Sequence, residues 1–326
     1  MGKVMESDKN IVKTSLTQRN VVITTFLIVL IITPFIMKKA FVTHVFITAL
    51  LYGALGASFD FAAGYLGIVN FGYAAFMGVG AYTSAILAIR FGVNPWLGLL
   101  LGGIIAGILG FITGILTLRL YGLFVACFTW FLGMAFMFLI AVTPEITRGY
   151  LGLNVPPLPN FWILDFSDPL RLSYYSVILP LSLSILLFLY YLGNKTKIGL
   201  AFKALRGSEL LAMASGVNPL KYRVLNFALT CFFAGVLGAF YAHYIKILTP
   251  SLLATGKTIE ILTIAYIGGR GSLWGSIPAA FLIISFLEFL RPLEAYRFII
   301  YGIILILVMI FYPGGLARLI ARKELF

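Results

Sequence analysis

The feature that most constrains this chain is a series of long apolar runs separated by short polar joints. An α-helix rises about 1.5 Å per residue, so about 20 apolar residues cross the hydrocarbon core of a bilayer. Runs of this kind stand at residues 21–37, 41–61, 72–89, 95–118, 122–143, 174–193, 223–247, 257–269, 275–290 and 296–312. Hydrophobic residues fill 61% of the 326 positions and charged residues only 11%. Soluble domains hold about 45–50% apolar and about 25% charged residues, so two soluble surfaces cannot be covered here. The expected fold is all-α, a polytopic transmembrane helix bundle of eight to ten spans, with ten preferred. The run at 257–269 is short and ends in Gly268-Gly269-Arg270-Gly271, which marks a half-helix or a broken span.

Charge orients the bundle. The formal net charge is +13, with 24 Lys and Arg against 11 Asp and Glu. The basic residues sit between apolar runs and near the ends of the chain, where they act on topology and on anionic lipid. Nucleic acid is not an expected partner, because no long basic run with interleaved aromatics exists. Residues 1–20 read as a polar cytoplasmic tail, and 21–326 as one transmembrane domain in the cell membrane. The run 21–37 is longer than a signal-peptide core, contains Pro34 and ends in Lys38-Lys39, so it reads as the first span. With ten crossings both termini lie inside, and the larger share of Lys and Arg falls inside with them.

Catalytic chemistry finds no foothold. There is no G-x-x-x-x-G-K-[ST], no H-E-x-x-H and no G-x-S-x-G. His44 and His243 cannot build a zinc site unaided, and no cofactor or metal is expected. Cys127 and Cys231 lie far apart inside apolar runs and read as small buried hydrophobes. Asp60, Glu260 and Glu288 fall within or at the ends of spans. Intramembrane acids tend to face a cavity or a partner. Here they are either helix-end acids paired with Lys or Arg, or members of an ion relay.

Two connections are long. Residues 144–173 hold Pro156-Pro157 and Pro159 and form an external loop. Residues 194–222 form the main internal connection. Within the latter, Lys203–Gly216 reads as a short amphipathic helix stopped by Gly216 and Asn218-Pro219. Glu209, Ala212 and Gly216 share one face of it, and small residues there allow close approach to a groove. The glycines at 64, 67, 72, 78 and 80 read mostly as helix packing; the joints Gly67–Gly72 and Gly268–Gly271 suggest elements that move or line a path.

The segment from Gly199, GLAFKALRGSELLAMASGV, resembles the coupling segment of ABC-importer permeases, closest to those for branched-chain amino acids of the LivM/LivH kind. GYLGIVNFGYAAFMGVGAYTSA (Gly64–Ala85), FFAGVLGAFYAHY (Phe232–Tyr244), IEILTIAYIGGRGSLWG (Ile259–Gly275) and YPGGLARL (Tyr312–Leu319) are similar to the same family in the same order. The departures are Asp60 for an Asn, Tyr73 for a frequent His, TWFLGM (Thr129–Met134) without its Glu, Arg148 for a Gly, and Gly207-Ser208 for commoner acids. They bear on the substrate, since related permeases handle urea and other small amides or amino acids.

The resemblance implies a transport subunit rather than an enzyme. It implies two cytoplasmic ABC ATPase subunits, a second similar permease and an external substrate-binding protein that docks on 144–173. Coupling to the ATPase is expected at Lys203, Arg206, Glu209, Ala212 and Gly216. A zwitterionic substrate needs dipoles at membrane depth, and Asn70, Tyr73, Tyr82 and Thr129 are the expected pathway residues. A different class, an ion-driven secondary transporter, would use Asp60 and Glu260 and need no ATPase.

Overall fold

The structure is a computed structural model. It describes residues 39–160, 165–166 and 168–290, and scattered positions between 30–37 and 296–316. The 1–20 tail and most of the expected first and last spans, 21–37 and 296–312, lie outside the described residues.

Among the described residues ten helices of more than one turn follow in order: α1 (Ala40–Asp60), α2 (Tyr73–Phe91), α3 (Pro95–Leu116), α4 (Leu123–Ala141), α5 (Leu172–Lys195), α6 (Lys197–Gly207), α7 (Glu209–Ala214), α8 (Pro219–Ile245), α9 (Thr255–Gly268) and α10 (Ser276–Phe289). A single helical turn at Pro144–Thr147 lies between α4 and α5. The ends are set by local chemistry. Asn94 accepts the Trp96 N–H (3.0 Å) ahead of Pro95 at the first position of α3. Asn218 accepts from Leu220 and Lys221 (3.0 and 3.4 Å) ahead of Pro219 in α8.

Among the described residues six helices are long and apolar enough to cross a membrane, or up to seven spans if α9 and α10 count as one. The break expected after 257–269 falls between α9 and α10, and separate crossings there are not confirmed. Each helix has 14 residues, about 21 Å of rise against a core of about 30 Å. They meet at a bend of 117° across residues 269–272. Among the described residues, eight to ten spans are not reached.

α1 is the central helix. From Ala49 to Leu66 every residue is buried, and α5, α8, α9 and α10 pack around it. α3 shows how a bilayer inverts the pattern of a soluble helix. Its small residues Gly102, Gly103, Ala106, Gly110 and Gly114 are buried, several of them against α8. Its large residues Leu97, Leu100, Ile104, Ile108, Phe111 and Ile115 are exposed along one stripe. Lipid solvates large apolar side chains as well as protein does, so close backbone contact between small residues selects the inner face.

Beyond α4 the chain leaves the helical layer. Leu153–Asn154 (β1) pairs antiparallel with Ile247–Leu248 (β2), placing Leu153 opposite Leu248. This two-residue ladder ties the 144–173 connection to the end of α8. Thus one end of the bundle carries 144–171, and the opposite end carries α6 and α7.

Candidate functional site

The internal connection is two helices rather than one. Thr196 caps α6 through the Gly199 N–H (3.4 Å), and Ser208, extended at φ −159°, caps α7 through Leu211 (3.4 Å). The expected single helix over Lys203–Gly216 is broken at that serine, whose hydroxyl competes well for helix N-termini. The expected shared face of Glu209, Ala212 and Gly216 is corrected as well. Ala212 is 4% exposed and turned into the bundle. Glu209 is held by Arg223 of α8 at 2.6 Å. Gly216 lies past the helix at φ +85°, where a Cβ would meet open space. Its role is the left-handed turn that ends α7, which L-residues resist.

The outward surface of α7 is apolar instead. Leu210 and Leu211 are 76% and 71% exposed, and Met213 follows them. A cavity of about 540 Å³ opens beside them, walled by Leu118, Tyr121, Leu220 and the Glu209–Arg223 pair. Sequence reading missed these residues because it assigned the small-residue face to the partner. A signal was present: a six-residue helix that buries Ala212 must turn adjacent leucines outward.

Lys203 and Arg206 bind the chain's own bundle. Lys203 donates to Asn194 Oδ1 (2.9 Å) and stands over the Tyr65 ring at 5.1 Å. Arg206 donates to the Gly64 carbonyl. That carbonyl is available because α1 widens into a π-helical turn at Phe61–Leu66. π-turns leave backbone groups without their usual partners. Here Asn226 takes the Phe61 carbonyl (3.3 Å) and the Ile68 N–H takes Ala62 (3.2 Å).

Asp60, the last residue before that turn, is 1% exposed. Both its carboxylate oxygens accept the Gly271 N–H, each at 2.9 Å. A Cβ on Gly64 would overlap both the Asp60 carboxylate and the Gly271 backbone. One point thus joins α6, the π-turn of α1 and the α9–α10 bend. Sequence reading had the bend and the acid but not their contact, which spans 211 residues of separation.

The four expected pathway residues only partly converge. Thr129 Oγ1 accepts the Phe71 N–H (3.1 Å), and Asn70 Oδ1 accepts Gly72 N–H (3.0 Å), so Asn70 and Thr129 share the joint between α1 and α2. Tyr73 turns into α8, donating to the Thr230 carbonyl at 3.2 Å. Tyr82 stands about two and a half turns further along α2, on the opposite side. All four are at most 3% exposed. Among the described residues the Asn70 amide nitrogen and Tyr82 hydroxyl have no hydrogen-bond partner, an arrangement that buried polar groups rarely keep. Glu260 pairs with Lys257 at 2.8 Å. Among the described residues no group of three His, Cys, Asp or Glu gathers where a metal could be held. Cys127 and Cys231 are free thiols.

With this geometry in hand, comparison with known proteins is informative. Residues 41–309 match the family described as branched-chain amino acid transport system, permease component. The chain belongs to that family. The high-affinity branched-chain amino acid transport system permease protein LivM of Salmonella typhimurium is 28% identical, over 89% of this chain and 73% of the relative. LivM of Escherichia coli is 27% identical, over 93% of this chain and 76% of the relative. A nucleoside ABC transporter permease protein, NupC of Lactococcus lactis, is 26% identical over 62% of this chain and 66% of its own length. No solved structure matches. Family membership makes the chain a multi-pass transport subunit rather than an enzyme.

Proposed function

We propose that this permease is one membrane-spanning half of an ATP-driven importer for branched-chain or similar aliphatic amino acids. The observation that carries the reading is the family match over 41–309, on a chain whose α6–α7 segment presents an unfilled apolar surface. Two cytoplasmic ABC ATPase subunits would supply the energy, each permease half resting α7 in a groove of one ATPase. A second, similar permease would complete the translocation path. An external binding protein would deliver substrate to 144–173, where Tyr150 and Leu151 are 65% and 91% exposed. In this orientation both termini and α6–α7 are cytoplasmic, and the bundle sits in the cell membrane.

The chemistry fits transmission rather than ion relay. Asp60 is bound by a backbone amide and Glu260 by a lysine, so the acids an ion-driven transporter would need are already engaged. Arg206 links α6 to the π-turn, and Asp60 links that turn to the α9–α10 bend. A push on α7 would therefore reach both the Gly67–Gly72 joint and the bend without crossing flexible chain.

The test is purification in mild detergent followed by uptake in vesicles. ATPase subunits should copurify, and uptake of radiolabelled leucine or isoleucine should stop on ATP depletion but survive an uncoupler. Uptake that collapses with the uncoupler alone, with no ATPase subunit present, overturns the importer reading.

A further inference from the structure

Between α8 and α9 the chain descends from the outer end of the bundle without forming a long helix. Ile247–Leu248 pairs with the 144–173 connection, Pro250–Leu253 makes one tight helical turn, and α9 begins at Thr255. Neighbouring side chains fix how deep this descent goes. The Leu253 side chain fills the place that a Cβ on Gly78 would take, and Gly78 lies about 20 Å along α2 from Phe91. Phe91 marks the outer end, because Arg90 beside it donates to the Glu145 carbonyl of the external connection. Further on, the Thr258 hydroxyl accepts the Ala74 N–H (3.1 Å), near the inner end of α2. The hydrocarbon core is about 30 Å thick, so Leu253 and the start of α9 lie inside it.

One side of the descent is packed. Leu252 and Leu253 are buried, and their turn rests on α2 and α4. The other side is open. Ser251 and Gly256 are exposed, Ile259 is 41% exposed one turn beyond Gly256, and the Thr249 and Ser251 hydroxyls bond one another at the surface (2.6 Å). Among the described residues no side chain caps the first turn of α9.

We infer that this open flank, Thr249–Ile259 with Trp130 and Phe131 of α4 beside it, is the surface against which a second membrane-spanning permease closes. This rests on the two-permease reading above and gives that reading a place on the molecule.

Three observations carry it. First, lipid does not suit the flank. Irregular backbone and an uncapped helix start at membrane depth are tolerated only against protein or beside water, since acyl chains offer no hydrogen bonds. The exposed stripe of α3 is the contrast: it belongs to an unbroken helix and shows lipid only apolar side chains. Second, Trp130 is 40% exposed about 17 Å along α4 from its outer end at Ala141. Lipid-facing tryptophans collect instead at the headgroup levels. The Trp130 indole donates to Thr255 Oγ1 (2.8 Å) and Phe131 stacks on it at 5.3 Å. A fixed aromatic pair with its polar tip satisfied is the kind of anchor that protein interfaces are built around. Third, the flank is on the perimeter. α1 fills the centre of the bundle, buried at every residue from Ala49 to Leu66. A partner that seals the flank must therefore come from beside the chain and span the membrane, which the ATPases and the delivery protein do not.

The experiment uses the assembled transporter in its membrane, with ATPases, second permease and delivery protein. A photoreactive side chain is placed at one of two positions of similar exposure, by Ile259→p-benzoylphenylalanine on the flank or Ile104→p-benzoylphenylalanine on the α3 stripe, where Ile104 is 46% exposed. After irradiation the adducts are read by mass. The probe at 259 should join the second permease, and the probe at 104 should give lipid adducts alone.

Lipid adducts alone at 259 overturn the surface, and so does a link from 259 to residues 21–37 or 296–312 of its own chain. Equal linking at both positions overturns it too, because the flank would then be no special contact. Gly256→Trp supplies a second measurement. A Cβ there meets nothing within 4 Å, so the variant should reach the membrane in the parent amount and lose the second permease on purification. Retention of the second permease in the parent ratio sinks the proposal. A parent complex that purifies with no second permease overturns the two-permease reading itself, and shows it without any variant.

Discussion

The two ends of α1 are built on opposite principles. At one end Asp60, Gly64, Arg206 and Gly271 meet with no room to spare: a carboxylate on a backbone amide, a guanidinium on a backbone carbonyl, and a glycine where any side chain would collide. At the other end Lys257, Glu260, Glu288, His44 and two tyrosines line a cavity, with Lys257 and Glu260 paired on its α9 side. The first arrangement spends its polar groups on main chain and fixes geometry. The second spends them on side chains that pair with one another at the edge of open space. Force that is to cross the bundle needs the stiff arrangement of the first end.

The largest expected effect comes from filling the tight end. Gly64→Leu would drive a branched side chain into Asp60 and Gly271. Overpacking of this kind costs about 1–3 kcal/mol where neighbours can yield, and here they are the Gly271 backbone and a buried carboxylate bound to it. The yield of monodisperse protein should fall severely. Gly256→Ala, near the other end, meets nothing within 4 Å and should melt within a degree or so of the parent, since surface substitutions without such contacts usually stay within about 0.5 kcal/mol. Equal losses from both would erase the contrast between the two ends.

Next in size is the outward face of α7. Leu211→Asp removes an apolar side chain that is 71% exposed in the isolated chain. A buried leucine is worth about 1.5–3 kcal/mol at an interface, so ATPase affinity should drop by roughly tenfold or more. The folded permease should be little affected, because the residue is mostly exposed. Pull-down with the purified ATPase measures it, and undiminished binding would move the contact elsewhere.

Arg206→Ala follows. It removes the hydrogen bond from α6 to the Gly64 carbonyl while leaving the Lys203–Tyr65 and Phe202–Phe61 contacts, and α7 with its leucines, in place. ATPase subunits should still bind. Substrate-stimulated hydrolysis should lose part of its stimulation, because the one hydrogen bond from α6 to the Gly64 carbonyl is gone. Full stimulation in that variant would make the joint a packing device only.

Much of the layout was legible in the sequence for a physical reason. In lipid, long apolar runs have few alternatives to helix, so the described spans begin and end within a few residues of the runs that encode them. Asp60, the Gly268–Gly271 break and the joint at Gly67–Gly72 were likewise visible as local anomalies. What could not be read was their meeting, since a hydrogen bond from Gly271 to Asp60 leaves no periodicity in either segment. The orientation of α7 was misread for a related reason. In six residues the apolar pattern of Leu210, Leu211, Ala212 and Met213 fits two opposite faces. Packing against the bundle chose the smallest side chain to bury. Gly216 looked like part of a smooth contact surface, and its positive φ, invisible in sequence, makes it a turn.

The smallest expected effect separates the two readings of Glu209. If that residue were a coupling contact, Glu209→Ala would cost ATPase binding. The structure instead gives it an internal partner, Arg223, at 2.6 Å, with the two side chains 26% and 15% exposed. A pair still open to solvent contributes about 1 kcal/mol or less. Glu209→Ala should therefore lower the melting temperature slightly and leave ATPase affinity close to the parent's. Arg223→Ala should do the same, and the double substitution should cost little more than either, because each single change already removes the shared contact. Arg223 also stands 5.2 Å from the Tyr121 ring, so its own loss should be the slightly larger of the two. A cycle in which Glu209→Ala abolishes ATPase binding while Arg223→Ala leaves it intact would return Glu209 to the interface. It would also show that the pair opens when the ATPase arrives.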